Sequence, residues 1–455
     1  MKDFGVLLDQ NPWWKGEEEL NRDYDIQRWR EKEYRWKPDI VDEIPLEPFA
    51  FNIVVGPRQV GKTTAVKLLI RDLIQDNIEK SVFYFNCEEI SDFKELLEVV
   101  ETYLDIRDRA GIESSYIFLD EVASVEKWQK AVKSLIDKGT LRNDVLTVTG
   151  SMSLKIKREA ELFPGRRGNG EDCLMLPLSF RQFVELHEPG LAEEIPRLGS
   201  LEEDEIAEKA SEAVLFKDKL KELLLSYFGT GGLPLSVASM GDDIDVKTAK
   251  KSYLDYMKTD ILELGKSDDV AREVMSTILT KMPSHVSWSK IARDISVKSH
   301  KTAASYARLF KEMYAILILP HIDISSKRLK YGKNKKFHVV DPLFLKIFEE
   351  WGLIQLDNRR EILAESCIAS HLARFTSEGL DLGERIGYWK NKKEIDVIVK
   401  AERTRGFEVK WSDNVKDVKM YEKYGEHMDS MVFLLEDNFK TDPLIVPIPV
   451  FLAMI

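Results

Sequence analysis

GPRQVGKTT, residues Gly56 to Thr64, is the stretch from which the rest of the chain is read. Two glycines five residues apart lead into Lys62 and Thr63. The apolar run Phe51, Asn52, Ile53, Val54, Val55 precedes them, and a helical pattern from Thr64 to Ile74 follows. Strand, loop and helix in that order is the setting in which such a loop holds phosphate. The predicted cradle is Gly56, Pro57, Arg58, Gln59, Val60, Gly61, Lys62, Thr63 and Thr64. Its glycines let backbone N–H groups turn toward phosphate oxygens at a helix N-terminus. Lys62 is expected to reach the β- and γ-phosphates, and the Thr63 hydroxyl to bind Mg²⁺.

Outward from the loop, the chain of 455 residues is long enough for two to four domains, each with its own core. With 44% hydrophobic and 32% charged residues it reads as globular. No apolar stretch approaches a membrane span, and the start MKDFGVLLDQ is too acidic for a signal peptide, so a cytoplasmic location without a membrane partner is expected. Cys87, Cys173 and Cys367 lie far apart, without metal-ligand spacing, which fits a reducing compartment and small buried side chains. The formal net charge of −12 excludes a generally basic nucleic-acid coat, so any such binding needs a local patch. One stands out: Lys327, Arg328, Lys330, Lys333, Lys335 and Lys336 fall together with no acidic residue among them.

The next chemistry-bearing run is Tyr116, Ile117, Phe118, Leu119, followed by Asp120 and Glu121. It places Asp120 at the carboxyl edge of a buried parallel strand, where ligands collect in α/β sheets. Asp120 is expected to hold the Mg²⁺ shell and Glu121 to orient and deprotonate the attacking water. A third run, Val145 to Thr149, ends in Gly150 and Ser151, with Thr149 or Ser151 as the expected γ-phosphate sensor or else a plain strand-end turn. Ser81 to Asn86 is a further strand candidate between loop and Asp120, so at least one strand is expected to be interposed in the sheet. That order favours ATPases of the additional-strand type over small-molecule kinases.

GPRQVGKTT, FLDEVASVEKWQ, TVTGSMS, LFPGRRG and LPLSFRQFVEL, in that order, resemble the prokaryotic, largely archaeal AAA+-like P-loop ATPases that carry a C-terminal nuclease-like domain. The resemblance spans nearly the whole chain, and the Pro177–Phe180 segment has no generic reason to be there. It implies that Arg166 and Arg167 meet nucleotide phosphate or a neighbouring subunit, as arginine fingers offsetting charge on the transferred phosphoryl group. The alternative is a solvated turn beside Gly165 and Gly168. Gly231, Gly232, Leu233, Pro234, Leu235 is similar to the Gly-x-Pro element of related signalling ATPases, where the lid backbone approaches adenine. Pro234 is the implied contact, with an inter-helix turn as the alternative. Trp13, Trp14, Trp29 and Trp36, set among charges, are expected to dock an arm onto a domain.

Residues 189 to 265 alternate charge and apolar side chains at helical spacing, as a lid with a solvated face would. Trp288 to Ile295 and Lys301 to Met313 are two short helical patterns. Tyr314 to Pro320 and Phe337 to Val340 read as strands on either side of the basic stretch. Helix, turn, helix and basic hairpin make a winged-helix arrangement, and the family resemblance points the same way. If DNA binds, Lys298, His300, Lys301 and Arg308 would lie on or near the second helix, and the Lys327 to Lys336 wing would contact phosphate. The alternative is a winged helix that serves as a packing module.

Three strand-like runs follow: Ile386 to Trp389, Glu394 to Ala401, and Arg405 to Trp411. Alternation puts Glu408 and Lys410 on one face, and antiparallel pairing across a short turn brings Asp396 beside them. Asp followed by Glu-x-Lys is the PD-(D/E)XK nuclease constellation, in which two carboxylates hold Mg²⁺ and the lysine helps activate water. Glu365, on the predicted helix Glu361 to Phe375, would be the additional acid that this superfamily often supplies there. Glu394 and Ile395 stand where that pattern often has a proline, which puts catalysis rather than fold in question.

The expected architecture is an α/β chain of five parts: an aromatic arm (1–48), a P-loop core with a parallel sheet (49–188), a helical lid (189–265), a winged helix (266–345) and an α/β PD-(D/E)XK nuclease-like domain (346–455). The expected function is Mg²⁺-dependent ATP binding and hydrolysis that drives or switches a DNA-directed module. The alternatives are an ATP-bound switch or DNA-binding regulator with negligible turnover and an inactive nuclease-like domain, or a nuclease gated by ATP. A finger acting in trans would imply a homo-oligomer.

Overall fold

The computed structural model describes residues 4–151, 163–238, 243–401, 403–414 and 428–455. Met152 and Ser153 of TVTGSMS and Leu162 of LFPGRRG lie outside them. The chain divides into two compact units, Met1–Leu176 and Pro177–Ile455.

In the first unit, an arm of short helices, α1 (Phe4–Gln10), α2 (Tyr24–Arg30) and α3 (Ile40–Glu43), leads into strand β1 (Ala50–Val55). The chain then runs through α4 (Lys62–Asp76), β2 (Val82–Asn86), α5 (Phe93–Arg109), β3 (Tyr116–Asp120), α6 (Trp128–Asp137), β4 (Val145–Gly150) and β5 (Asp172–Leu174). The five strands form one sheet in the order β2-β3-β4-β1-β5, every pair parallel. Parallel strands need crossovers, and the helices between them cover the faces, which is why β1 and β4 are buried along their whole length. The register brings Val55 beside Gly150 and Asn86 beside Asp120, so the carboxyl ends line up.

One strand does separate β1 from β3, but it is β4 and not the Ser81–Asn86 strand. β2 lies at the sheet edge instead, where its outward backbone groups need partners other than a strand. The arm supplies them with side chains. Trp13 and Trp14 each donate from Nε1 to the Val82 carbonyl at 3.0 Å. Asn11 exchanges two bonds with Tyr84, accepting from its N–H at 2.7 Å and donating to its carbonyl at 2.9 Å. Gln10 Oε1 accepts from the Asn86 N–H at 2.6 Å. Trp14 also stacks on Phe83 and Tyr103.

The second unit begins with helices α7 (Phe180–His187), α8 (Pro189–Glu194), α9 (Glu203–Ala213), α10 (Lys217–Thr230), α11 (Pro234–Val237) and α12 (Asp243–Glu263). Three more, α13 (Asp268–Lys281), α14 (Trp288–Arg293) and α15 (His300–Glu312), precede a hairpin of β6 (Ile316–Asp323) and β7 (Arg328–Val339). After α16 (Pro342–Gly352) and α17 (Arg359–Phe375) come β8 (Ile386–Lys390), β9 (Glu394–Lys400), β10 (Thr404–Lys410), β11 (Ser430–Leu435), β12 (Lys440–Thr441), β13 (Leu444–Pro447) and α18 (Ile448–Met454). All these strands share one sheet, in the order β12-β13-β11-β10-β9-β8-β6-β7. The hairpin expected to belong to a separate winged helix therefore continues the sheet of the C-terminal part. Most of the basic stretch is strand, not a connection between strands, because β7 extends from Arg328.

The Pro177–Phe180 segment gains a structural reason. Its Ser179 caps α7 in a box with Gln182, Leu178 accepts from the Tyr227 hydroxyl at 2.8 Å, and the Phe180 N–H donates to His371 Nε2 at 2.8 Å. The two glycines of the Gly231–Leu235 element serve the same place. A Cβ at Gly231 would meet Asp341 Oδ1 at 2.1 Å, and one at Gly232 would meet the Leu178 carbonyl at 2.1 Å. Their close approach is to Asp341 and Leu178, and Pro234 opens α11 in its first turn.

Candidate functional site: the phosphate loop and a C-terminal acid cluster

The loop after β1 is built around backbone that only certain residues adopt. Gly61 has φ 95° and Gln59 φ 61°, and a Cβ at Gly56 would lie 2.1 Å from the Met175 carbonyl. α4 then starts at Lys62, directing its unsatisfied N–H groups at the loop. Lys62 is buried, and its Nζ donates to the carbonyls of Gly56 at 3.3 Å and Pro57 at 3.1 Å.

Thr63 and Asp120 meet beside the loop. Thr63 Oγ1 donates to Asp120 Oδ2 at 2.6 Å, and the Tyr84 hydroxyl donates to the same oxygen at 2.9 Å. Burial and then the Asp120 charge push the Tyr84 phenol well above its ordinary range, so it stays a donor. Thr149 donates to the other oxygen, Oδ1. The same Thr149 hydroxyl accepts from the Glu121 N–H at 3.1 Å. Glu121, at φ 49°, is held in a left-handed conformation, and its carboxylate accepts from the Ser151 N–H at 3.0 Å and from the Ser151 hydroxyl.

The Thr149 hydroxyl donates to Asp120 and the Ser151 hydroxyl to Glu121, so both steady the two carboxylates. A hydroxyl and a carboxylate oxygen 2.6 Å apart at a helix N-terminus fit a hard, oxygen-seeking cation such as Mg²⁺. Among the described residues no group of three or more His, Cys, Asp or Glu is placed to hold a metal alone. Phosphate oxygens and water would complete the shell, as Mg²⁺ sites with one or two carboxylates require.

A second cluster forms in the C-terminal sheet. Asp396 on β9 and Glu408 on β10 are buried, and α17 brings Glu365 to them. Lys410 Nζ donates to Asp396 Oδ2 at 3.1 Å and lies 2.7 Å from Glu408 Oε1. Lys336, from β7, lies 2.8 Å from Asp396 Oδ1, 2.9 Å from Glu365 Oε2 and 2.9 Å from Glu394 Oε1. Burial alone would lower the Lys336 ammonium, but Asp396, Glu365 and Glu394 more than reverse this and hold it well above the ordinary lysine range. Burial would raise Asp396, yet Lys336 and Lys410 hold it well below the usual carboxylate range. Glu365 is pushed up to about 7 by burial and the Asp396 charge, against the pull of Lys336. A cavity of about 280 Å³ opens over the cluster, with Lys390, Lys392 and Lys393 among its lining residues.

Residues 49–184 match the family described as an AAA domain. Residues 221–347 match a domain of unknown function, DUF8612. An uncharacterized protein of Methanocaldococcus jannaschii is 24% identical over 400 residues, 84% of this chain and 80% of that protein. The Walker-type ATPase of Pyrococcus abyssi covers 66% of this chain, with 91% of its own length matched, at 14% identity and a TM-score of 0.38. The Orc1 protein of Aeropyrum pernix, solved in complex with DNA, covers 75% of this chain, with 96% of its own length matched, at 14% identity and a TM-score of 0.32. The phosphate loop and the parallel sheet lie within the residues that match the AAA domain. Among the described residues no helix is long and apolar enough to cross a membrane.

Within the AAA-like region, the arginines sit at the opposite end of the sheet from the loop. Arg167 lies over the Phe51 ring at 4.9 Å, pairs with Asp172 at 2.8 Å, and passes its carbonyl to the Phe51 N–H. Phe51 stands five residues before Gly56, about 16 Å along an extended strand. Arg166 pairs with Asp137, the last residue of α6, from which the chain turns into the amino end of β4. Neither guanidinium is placed at its own chain's loop. In the second unit Lys335 and Lys336 are buried, which removes both from the set of six expected phosphate contacts; Lys327, Arg328, Lys330 and Lys333 stay exposed. Sequence reading missed Tyr84, Lys336 and Glu394. Tyr84 had one signal, a polar-tipped residue inside an otherwise apolar strand.

Proposed function

We propose that the chain binds ATP at the Gly56–Thr64 loop and hydrolyses it with Mg²⁺, and that this drives or switches a DNA-directed module in the second unit. The observation that carries the first part is the convergence of Thr63, Tyr84 and Thr149 on Asp120, with Glu121 next in sequence. Loop N–H groups and the first turn of α4 would hold the β- and γ-phosphates. The Lys62 ammonium, now on two weakly held carbonyls, would transfer to them. Mg²⁺ at Thr63 and Asp120 would supply charge neutralisation on the phosphates. Glu121, steadied by Ser151, would orient the attacking water and accept its proton. Arg166 or Arg167, remote from its own loop, would act as a finger only on a neighbouring copy, so that role requires a homo-oligomer. Pro234 as an adenine contact belongs to the same proposal.

The DNA-directed part rests on charge and placement. Lys298, His300, Lys301 and Arg308 are exposed on or just before α15, and Arg328, Lys330 and Lys333 are exposed on β7. Burial and the charge of Arg308 lower the Lys335 ammonium, which supports a shared basic face between α15 and β7. Asp396, Glu408, Lys410 and Glu365 would be the nuclease-like site beside it. The position of Lys336 among those carboxylates favours the reading in which that site does not cut. The test is steady-state ATP turnover with and without duplex DNA: a change on adding DNA is expected. Slow, DNA-insensitive hydrolysis with ATP-dependent oligomerisation would favour the switch instead.

A further inference from the structure

The metal that the PD-(D/E)XK resemblance implies does not fit the acid cluster as its residues stand. Lys336 Nζ is the point common to three carboxylates, at 2.8, 2.9 and 2.9 Å from Asp396, Glu365 and Glu394. An ammonium has three N–H donors, and here each has a carboxylate to meet. The other Asp396 oxygen accepts from the Val409 N–H at 3.0 Å and from Lys410 at 3.1 Å, and Glu408 Oε1 lies 2.7 Å from Lys410. A divalent ion needs several of these oxygens at about 2.0–2.6 Å, and those of Asp396, Glu365 and Glu394 already surround Lys336 while Glu408 Oε1 and the second Asp396 oxygen meet Lys410. Two cations at that separation in a buried site repel strongly, and Lys336 is only 1% exposed, so little water screens its charge.

We propose that Lys336 is the resident cation of this cluster and excludes a divalent metal ion from it. A side chain of β7 thereby does structurally what Mg²⁺ does in a metal-dependent cleavage site: it neutralises the carboxylates of Asp396 and Glu394 on β9 and of Glu365 on α17. This rests on reading the cluster as nuclease-like, but it fails separately from that reading, because its measure is metal uptake and not cleavage.

The experiment is a Mn²⁺ titration of the nucleotide-free full chain, followed by the electron paramagnetic resonance signal of free Mn²⁺. Wild type and Asp396→Asn are expected to give the same curve, with any site that depends on Asp396 weaker than about 1 mM. Lys336→Met, neutral and of similar length, is expected to gain a site at least about tenfold tighter, which Asp396→Asn in the same chain removes; Lys336→Arg keeps the charge and gains nothing. Tight Mn²⁺ uptake by wild type that Asp396→Asn abolishes overturns the proposal. A folded Lys336→Met chain with no gain does the same. Should Lys336→Met fail to fold, the wild-type and Asp396→Asn curves still decide by coinciding or separating. A cleavage assay on DNA alongside separates the outcomes, since Mn²⁺-dependent cutting by wild type would sink the inactive-site reading as well.

Discussion

Thr63 Oγ1 lies 2.6 Å from Asp120 Oδ2, joining the first turn of α4 to the end of a strand that is not β1's neighbour. β4 lies between them, and its Thr149 holds the other Asp120 oxygen. Orientation of the two carboxylates thus depends on side chains from three elements, α4, β2 and β4, and on Ser151 just after β4. In the proposed mechanism Asp120 would face the metal and Glu121 the attacking water.

Glu121→Gln keeps the size and the Ser151 contacts but removes the base. ATP binding by the variant should stay within about threefold of wild type while turnover falls roughly 100-fold, measured by fluorescent-nucleotide titration and phosphate release. Equal losses of binding and turnover would contradict a role confined to the water.

How much of this was legible follows from sequence distance. Lys62, Thr63, Asp120 and Glu121 announce themselves because a loop, a helix start and a strand end fix them locally. Tyr84 and Lys336 do not, since each reaches its carboxylate only through strand order and pairing that no local pattern encodes. Lys335 and Lys336 looked like two more solvated lysines in a basic run; only the continuation of β7 into the C-terminal sheet buries them. The arm was readable as a docking segment from its tryptophans, whereas its task of covering the β2 edge with side chains required knowing that β2 is an edge.

Asn11 replaces a strand at that edge by exchanging two bonds with Tyr84. Asn11→Ala leaves a buried N–H and carbonyl without partners and should cost about 2 kcal/mol in chemical denaturation of the full chain. An unchanged midpoint would show that the edge is satisfied otherwise.

Burial and then Arg374 push His371 down to about 3 from an ordinary 6.5. The geometry agrees: Nε2 accepts from the Phe180 N–H, so the proton sits on Nδ1, 2.7 Å from the Cys367 carbonyl. A depressed folded pKa means that the unfolded chain binds the extra proton first. The stability is therefore whole above about pH 6.5 and is lost as pH falls toward 3. By pH 5 the loss from this group should be about 2 kcal/mol. His371→Gln offers an acceptor that does not titrate, and should flatten the stability-versus-pH curve between pH 7 and 5 by about one proton. An unaltered slope would contradict the assignment.

Since neither Arg166 nor Arg167 reaches its own loop, a finger role must act between copies. Turnover per chain should then rise with protein concentration, and Arg166→Ala should remove the rise. Arg167→Ala, which loses the stacking on Phe51 and the Asp172 pair, should instead cost about 1–2 kcal/mol of stability. Concentration-independent turnover that survives Arg166→Ala ends the finger proposal.

Everything else depends on the loop being an engine for ATP. Its most direct test is phosphate release from ATP with Mg²⁺, comparing wild type with a folded Lys62→Ala variant. Lys62 is buried against the Gly56 and Pro57 carbonyls, and losing its ammonium should abolish turnover while the sheet stays intact by circular dichroism. Undiminished hydrolysis in Lys62→Ala would contradict the account.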